Sequence, residues 1–142
     1  MICSQKKNAF TLMEVMIAIV IIGILATLAG PAMMRKWKQI EINTTRATMS
    51  AIKAALNDYR EDIGHFPTKE EGGLEALVKK PKNVKNWNGP SYLEGRDEVP
   101  KDKWGQEFDY NKPPKKYGNL YRYYEIISDG PEDSEEEIHL GQ

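Results

Sequence analysis

Glu14 is the only charged residue between Phe10 and Met34, and it stands at the start of an uncharged run from Val15 to Met34. A carboxylate within an apolar span costs a few kcal/mol even on the lenient insertion scale, so such a group is usually kept for a partner. The partner of Glu14 should be a cation. No Lys, Arg or His lies from Phe10 to Met34, and Arg35 is roughly 30 Å away along a helix. The cation must therefore come from outside this span. Other chemistry is sparse. His65 and His139 are the only histidines, and neither has a cysteine or a spaced acid pair with which to build a triad or a zinc site. No P-loop or dinucleotide fingerprint occurs.

The elements that position Glu14 emerge from the apolar pattern. Twenty residues at about 1.5 Å each give roughly 30 Å, enough to cross the hydrocarbon core of a bilayer. A cleavable secretory signal has a shorter apolar region, about 7–15 residues, without acids. Beyond the span, Ile42, Thr45, Met49, Ile52, Leu56, Tyr59 and Ile63 recur at steps of three and four, which predicts one buried stripe on a continuing helix. Gly64 and Pro67 stop it, the first by permitting a left-handed cap and the second by refusing to continue. The expected result is one helix of about fifty residues, with Gly30-Pro31 producing a kink or a melted turn because Pro31 supplies no amide donor.

The remainder reads as a small α+β head. Thr68-Lys69-Glu70-Glu71 is a capping box opening a short helix with Leu74, Leu77 and Val78 as its apolar residues. Lys79 to Pro100 is loop-like. Glu107 to Tyr110 and Leu120 to Ile127 read as strands of a hairpin with a long loop through Pro113-Pro114 and Gly118-Asn119. A two- or three-stranded antiparallel sheet resting on the long helix would bury both apolar faces. Trp87 and Trp104 are expected to pack in the core or its loops.

The 142 residues leave room for one span and one domain. The single cysteine, Cys3, precedes the span, so the head has no disulfide. Lys79 to Lys116 carries ten basic residues against six acids, and Glu125 to Gln142 carries seven acids and no Lys or Arg. Such blocks are usually solvated faces or interaction surfaces. The basic residues are interleaved with acids, which speaks against nucleic acid as a partner.

Lys6-Lys7-Asn8-Ala9 followed by Phe10-Thr11-Leu12-Met13-Glu14-Val15 resembles the type IV prepilin leader. The resemblance implies residues 1–9 as leader, cleavage between Ala9 and Phe10 by a prepilin peptidase, N-methylation of Phe10, and pairing of the new amino terminus with Glu14 of a neighbouring subunit. Ala9 departs from the Gly usual before the cut. In the head, Phe66-Pro67-Thr68, Glu71 to Leu77, Trp87 to Leu93 and Val99 to Gly105 with Tyr110 are similar to the major pseudopilins of type II secretion, the G component. Lys103 stands where Pro is usual, and Gly72-Gly73 adds a residue.

That resemblance implies a type IV pilin-like fold with the span and assembly helix at 10–34 and a periplasmic domain at 35–142. It implies a single-pass protein of the bacterial inner membrane that forms a helical homo-oligomeric filament pushing folded proteins through an outer-membrane channel. The implied partners are the prepilin peptidase, minor pseudopilins and an inner-membrane assembly platform, and no catalytic role is implied. It further implies calcium in the acidic C-terminal loop, with Asp129 and Asp133 as ligands and Glu135 or Glu137 closing the site. Calcium takes about six to eight hard oxygens. The loop is shorter than the family's, so a solvated acidic tail remains the alternative. A type IV pilus pilin, a minor pseudopilin or a membrane-anchored binding module are the other readings of the whole.

Overall fold

A hydroxyl starts the first element. Thr11 Oγ1 accepts the backbone N–H of Glu14 at 3.2 Å, an N-cap contact that satisfies one of the donors left free at a helix start. Helix α1 then runs Leu12–Ile63. The computed structural model describes residues 10–131 and 137–142. The chain divides into two units, Met1–Gln39 and Ile40–Gln142.

In the first unit the helix runs through Gly30 and Pro31, so of the expected kink or melted turn the melted turn is not formed. Pro31 withholds the N–H that would reach the Thr27 carbonyl, and the helix carries this one missing donor. The Thr27 hydroxyl turns back to the Ile24 carbonyl at 2.7 Å.

In the second unit the predicted stripe is the core side of α1. Ile42, Thr45, Met49, Ile52, Leu56 and Tyr59 are buried, joined by Ala55, and Ile63 packs at the edge. They meet Phe66, Leu74, Leu77, Leu93, Phe108, Tyr124, Ile126 and Ile138. Fully burying one such side chain contributes about 1.5–3 kcal/mol. The helix stops as expected. Gly64 sits at φ 94°, and its N–H donates to the Arg60 carbonyl at 2.8 Å.

The capping box forms in both directions. The Thr68 N–H donates to Glu71 Oε2 at 2.8 Å, and the Glu71 N–H donates to Thr68 Oγ1 at 3.4 Å. The element it leads into is a 3₁₀ helix, Gly73–Leu77, rather than an α-helix. Gly72 and Gly73 both adopt positive φ, 97° and 61°, which no α-helical turn accommodates.

Strands β1 (Asp109–Asn111), β2 (Glu125–Ser128) and β3 (Ile138–Gly141) form an antiparallel sheet in the order β1-β2-β3. Tyr110 pairs with Ile126, and Ile126 with Leu140. The central strand β2 is buried throughout. Two expectations are corrected. The chain from Leu120 to Tyr124 is not strand: Leu120 and Tyr121 donate to the Tyr117 carbonyl as a turn, and the Gln142 carbonyl takes the N–H groups of Arg122 and Tyr123. The acidic C-terminal segment does not remain a loop to Gln142, because β3 closes the sheet against β2. Glycine is required there by space. A Cβ on Gly141 would lie 2.4 Å from the Tyr124 carbonyl and 2.5 Å from the Tyr121 ring.

Leu56 is wholly buried on the stripe, so Leu56→Ala is expected to cost about 2–5 kcal/mol. The measurement is a denaturant midpoint, which should fall with little change of slope.

Candidate functional site

The two candidate regions lie in different units, and the structure treats them in opposite ways. From Phe10 to Met34 every residue is exposed, and α1 is long and apolar enough there to cross a membrane. Phe10 is 80% exposed. Ala9, the other side of the expected cleavage site, lies outside the described residues. Glu14 makes no ion pair among the described residues, so its cation is still to be supplied. The Thr11 cap was legible as the T-x-x-E spacing Thr11 to Glu14, a signal overshadowed by the carboxylate's charge.

In the head, the organising group is Glu125, a carboxylate on β2 that sequence reasoning passed over. It is wholly buried. Its Oε1 accepts the backbone N–H groups of Lys115 at 2.9 Å and Lys116 at 3.0 Å, and the Asn111 side-chain amide at 3.2 Å. Its Oε2 accepts the N–H of Tyr117 at 2.7 Å. Burial alone would push this carboxyl up. The three backbone donors and the amide outweigh burial and hold it below the usual range. Glu125 thereby fixes residues 115–117, which carry the next pair.

Lys116 and Tyr117 both point to Glu137. The Lys116 ammonium donates to Glu137 Oε1, and the Tyr117 hydroxyl donates to Oε2 at 2.8 Å. The Lys116 contact, followed by that of Tyr117, holds the Glu137 carboxyl below its usual value, and the same contact raises Lys116. Beside them the His139 ring stacks on Tyr117 at 3.9 Å, and its Nδ1 lies 2.9 Å from the Tyr121 hydroxyl.

This geometry bears on the calcium expectation. Asp133 and Glu135 lie outside the described residues. Asp129 is exposed. Glu137 already has a cation and a hydroxyl on its two oxygens. Among the described residues no group of three or more acids, histidines or cysteines gathers around one point. Of the four expected calcium ligands, Asp129 and Glu137 are the two among the described residues.

The remaining sequence-predicted residues hold structure. Asp102 is buried; its Oδ1 takes the N–H groups of Trp104 and Gln106, and its Oδ2 takes the Ser128 hydroxyl at 2.7 Å. The N–H of Lys103 donates to Thr45 Oγ1 on α1 at 3.2 Å. Proline at 103 would delete that donor. Trp87 Nε1 donates to the Ala76 carbonyl at 2.8 Å, and its ring meets Tyr92 edge-on. Trp104 packs against the core. Both tryptophans are therefore packing residues. His65 Nδ1 lies 3.0 Å from the Phe66 carbonyl, and Nε2 is 3.6 Å from Glu71.

These carboxylates make the head sensitive to acid. Glu125 and Glu137 have lowered folded values, so their stabilising contribution is present above the ordinary glutamate value, 4.5, and is lost as pH falls through the lower folded values. Glu125→Gln should flatten this acid limb and cost about 1–3 kcal/mol at neutral pH, because an amide donor then faces N–H donors; melts across pH measure both. If the Lys116–Glu137 contact keeps calcium out of this loop, a chelator leaves the thermal midpoint unchanged. A midpoint raised by calcium and restored to the chelated value by Asp129→Asn would instead put the ion in this loop.

Comparison with known proteins gives a consistent answer. The family described as type II secretion system (T2SS), protein G matches residues 32–139, and the prokaryotic N-terminal methylation motif matches residues 4–30. Type II secretion system core protein G of Pseudomonas aeruginosa is 37% identical over 131 residues, covering 90% of this chain and 88% of that protein. The Vibrio cholerae protein of the same name is 33% identical over 133 residues, covering 92% and 87%. The crystal structure of the major pseudopilin from the type 2 secretion system of enterohaemorrhagic Escherichia coli superposes with a TM-score of 0.58 at 27% identity, over 75% of this chain and 90% of that one. The uncovered apolar helix, the pilin-like head and these likenesses together place the chain in the type II secretion system protein G family, the major pseudopilins.

Proposed function

We propose that the chain is the major structural subunit of a type II secretion pseudopilus, a filament assembled from copies anchored in the bacterial inner membrane with their heads in the periplasm. The observation that carries this reading is the contrast along α1. Its second part is sealed by a folded head, whereas every residue from Phe10 to Met34 is uncovered. Bilayer lipid covers that surface in the unassembled subunit, and the helices of other copies cover it in a filament.

The leader is removed between Ala9 and Phe10 by a prepilin peptidase, and Phe10 is N-methylated. The new amine supplies the cation that Glu14 lacks, donated by the incoming copy to a copy already in place. The pairing is heterologous, so it repeats into a helical filament instead of closing into a dimer. Minor pseudopilins and an inner-membrane platform start and drive growth, and the filament pushes folded cargo outward. The subunit itself catalyses nothing; its work is packing and charge matching.

The test is intact mass and N-terminal analysis of the full chain from cells with and without the peptidase. A mature form beginning at methylated Phe10, seen only with the peptidase, is expected. Glu14→Ala should still be inserted and cleaved while filament yield drops at least tenfold, about 1.4 kcal/mol of lost pairing. A normal yield would remove Glu14 from assembly.

A further inference from the structure

Directly after the apolar run, α1 presents Arg35-Lys36-Trp37-Lys38. All four are exposed, Trp37 by 58%. Arg35, Lys36 and Lys38 make no ion pair among the described residues, and Glu41, the next acid along the helix, is not joined to any of them. With 3.6 residues per turn, Arg35 lies between Lys36 and Lys38, about 100° from the first and about 60° from the second, so the three cations spread over just under half of the helix circumference, and Met33 and Trp37 lie in the other half. Three cations within four consecutive positions, with no ion pair among the described residues, repel one another and favour an anion.

The spacing says which anion. Counting from Val15, the twentieth residue is Met34, so the hydrocarbon core of about 30 Å ends there and residues 35–38 fall within the following ~6 Å, at headgroup depth. Phosphate oxygens are densest at that level. Arginine grips phosphate with two parallel N–H donors, lysine adds point charge, and an indole settles where its ring is apolar and its N–H is wet. We propose that Arg35, Lys36 and Lys38 form a phosphate-binding collar for anionic phospholipid headgroups, with Trp37 at the same depth on the other side of the helix. The proposal rests on the membrane-anchored reading above. It makes lipid release from the collar part of leaving the bilayer.

The experiment uses the full chain in nanodiscs of phosphatidylcholine alone or of phosphatidylcholine with phosphatidylglycerol. Co-elution of chain and disc reads the anchoring. The rate of lysine acylation, residue by residue in the mass spectrometer, reads the collar, with exposed Lys85 in the head as internal reference. Acylation of Lys36 and Lys38 should slow roughly five-fold in the anionic discs, the factor for one cation near an anionic surface. The protection should vanish at high salt and weaken in Arg35→Gln. Equal rates in both discs would overturn the collar while leaving anchoring intact. Protection that follows the number of chains per disc, and not lipid charge, would overturn it in favour of a contact between copies. A chain that fails to co-elute with either disc removes the anchored reading and the collar together.

Discussion

A carboxylate taken out of water must be met by donors, and at Glu125 that requirement shapes the head. Its two oxygens collect three backbone N–H groups from residues 115–117 and the Asn111 amide. Left unmatched, such a charge would cost several kcal/mol. Matched, it turns a long connection between β1 and β2 into a defined surface. Lys116 and Tyr117 are presented to Glu137 because their own backbone is clamped, and Glu137 stands at the entrance to β3. One buried group thus organises both flanks of the central strand.

On the opposite side of the sheet the requirement is apolar. The α1 stripe from Ile42 to Tyr59 meets Ile126 and Ile138 from the sheet and Leu74 and Leu77 from the 3₁₀ helix. Polar ties then fix what apolar contact leaves sliding. Asp102 joins the Lys101–Gln106 loop to Ser128 on β2, and the Lys103 N–H joins it to Thr45 on α1. Lys103 stands where the resemblance expects proline, and it contributes a backbone donor that proline does not possess.

The sequence disclosed those parts whose physics is local. The stripe showed because helical period repeats every three or four residues, the stop at Gly64 because few residues tolerate that φ, and the capping box because its two partners are three positions apart. The span and the isolation of Glu14 were equally plain. Non-local pairing was hidden. Ile138 to Gly141 is a strand only because β2 offers it a ladder, and four residues behind a run of acids carry no alternation long enough to announce themselves. Leu120 to Tyr124 looks like strand by composition, yet its N–H groups go to Tyr117 and Gln142. The same blindness affected the candidate site: Lys116, 21 positions from Glu137, is brought to it by a clamp made of backbone amides.

The division of α1 bears on how such a chain can change. On the proposed reading, association is written on residues 10–34, where no side chain contributes to the core of the head, and folding is written on the stripe from Ile42 to Ile63. A substitution on the first surface alters what the subunit adheres to without spending conformational stability, and one on the second does the reverse. Two properties that in most globular proteins compete for the same apolar residues are here inherited on separate turns of a single helix, and each can drift at its own pace.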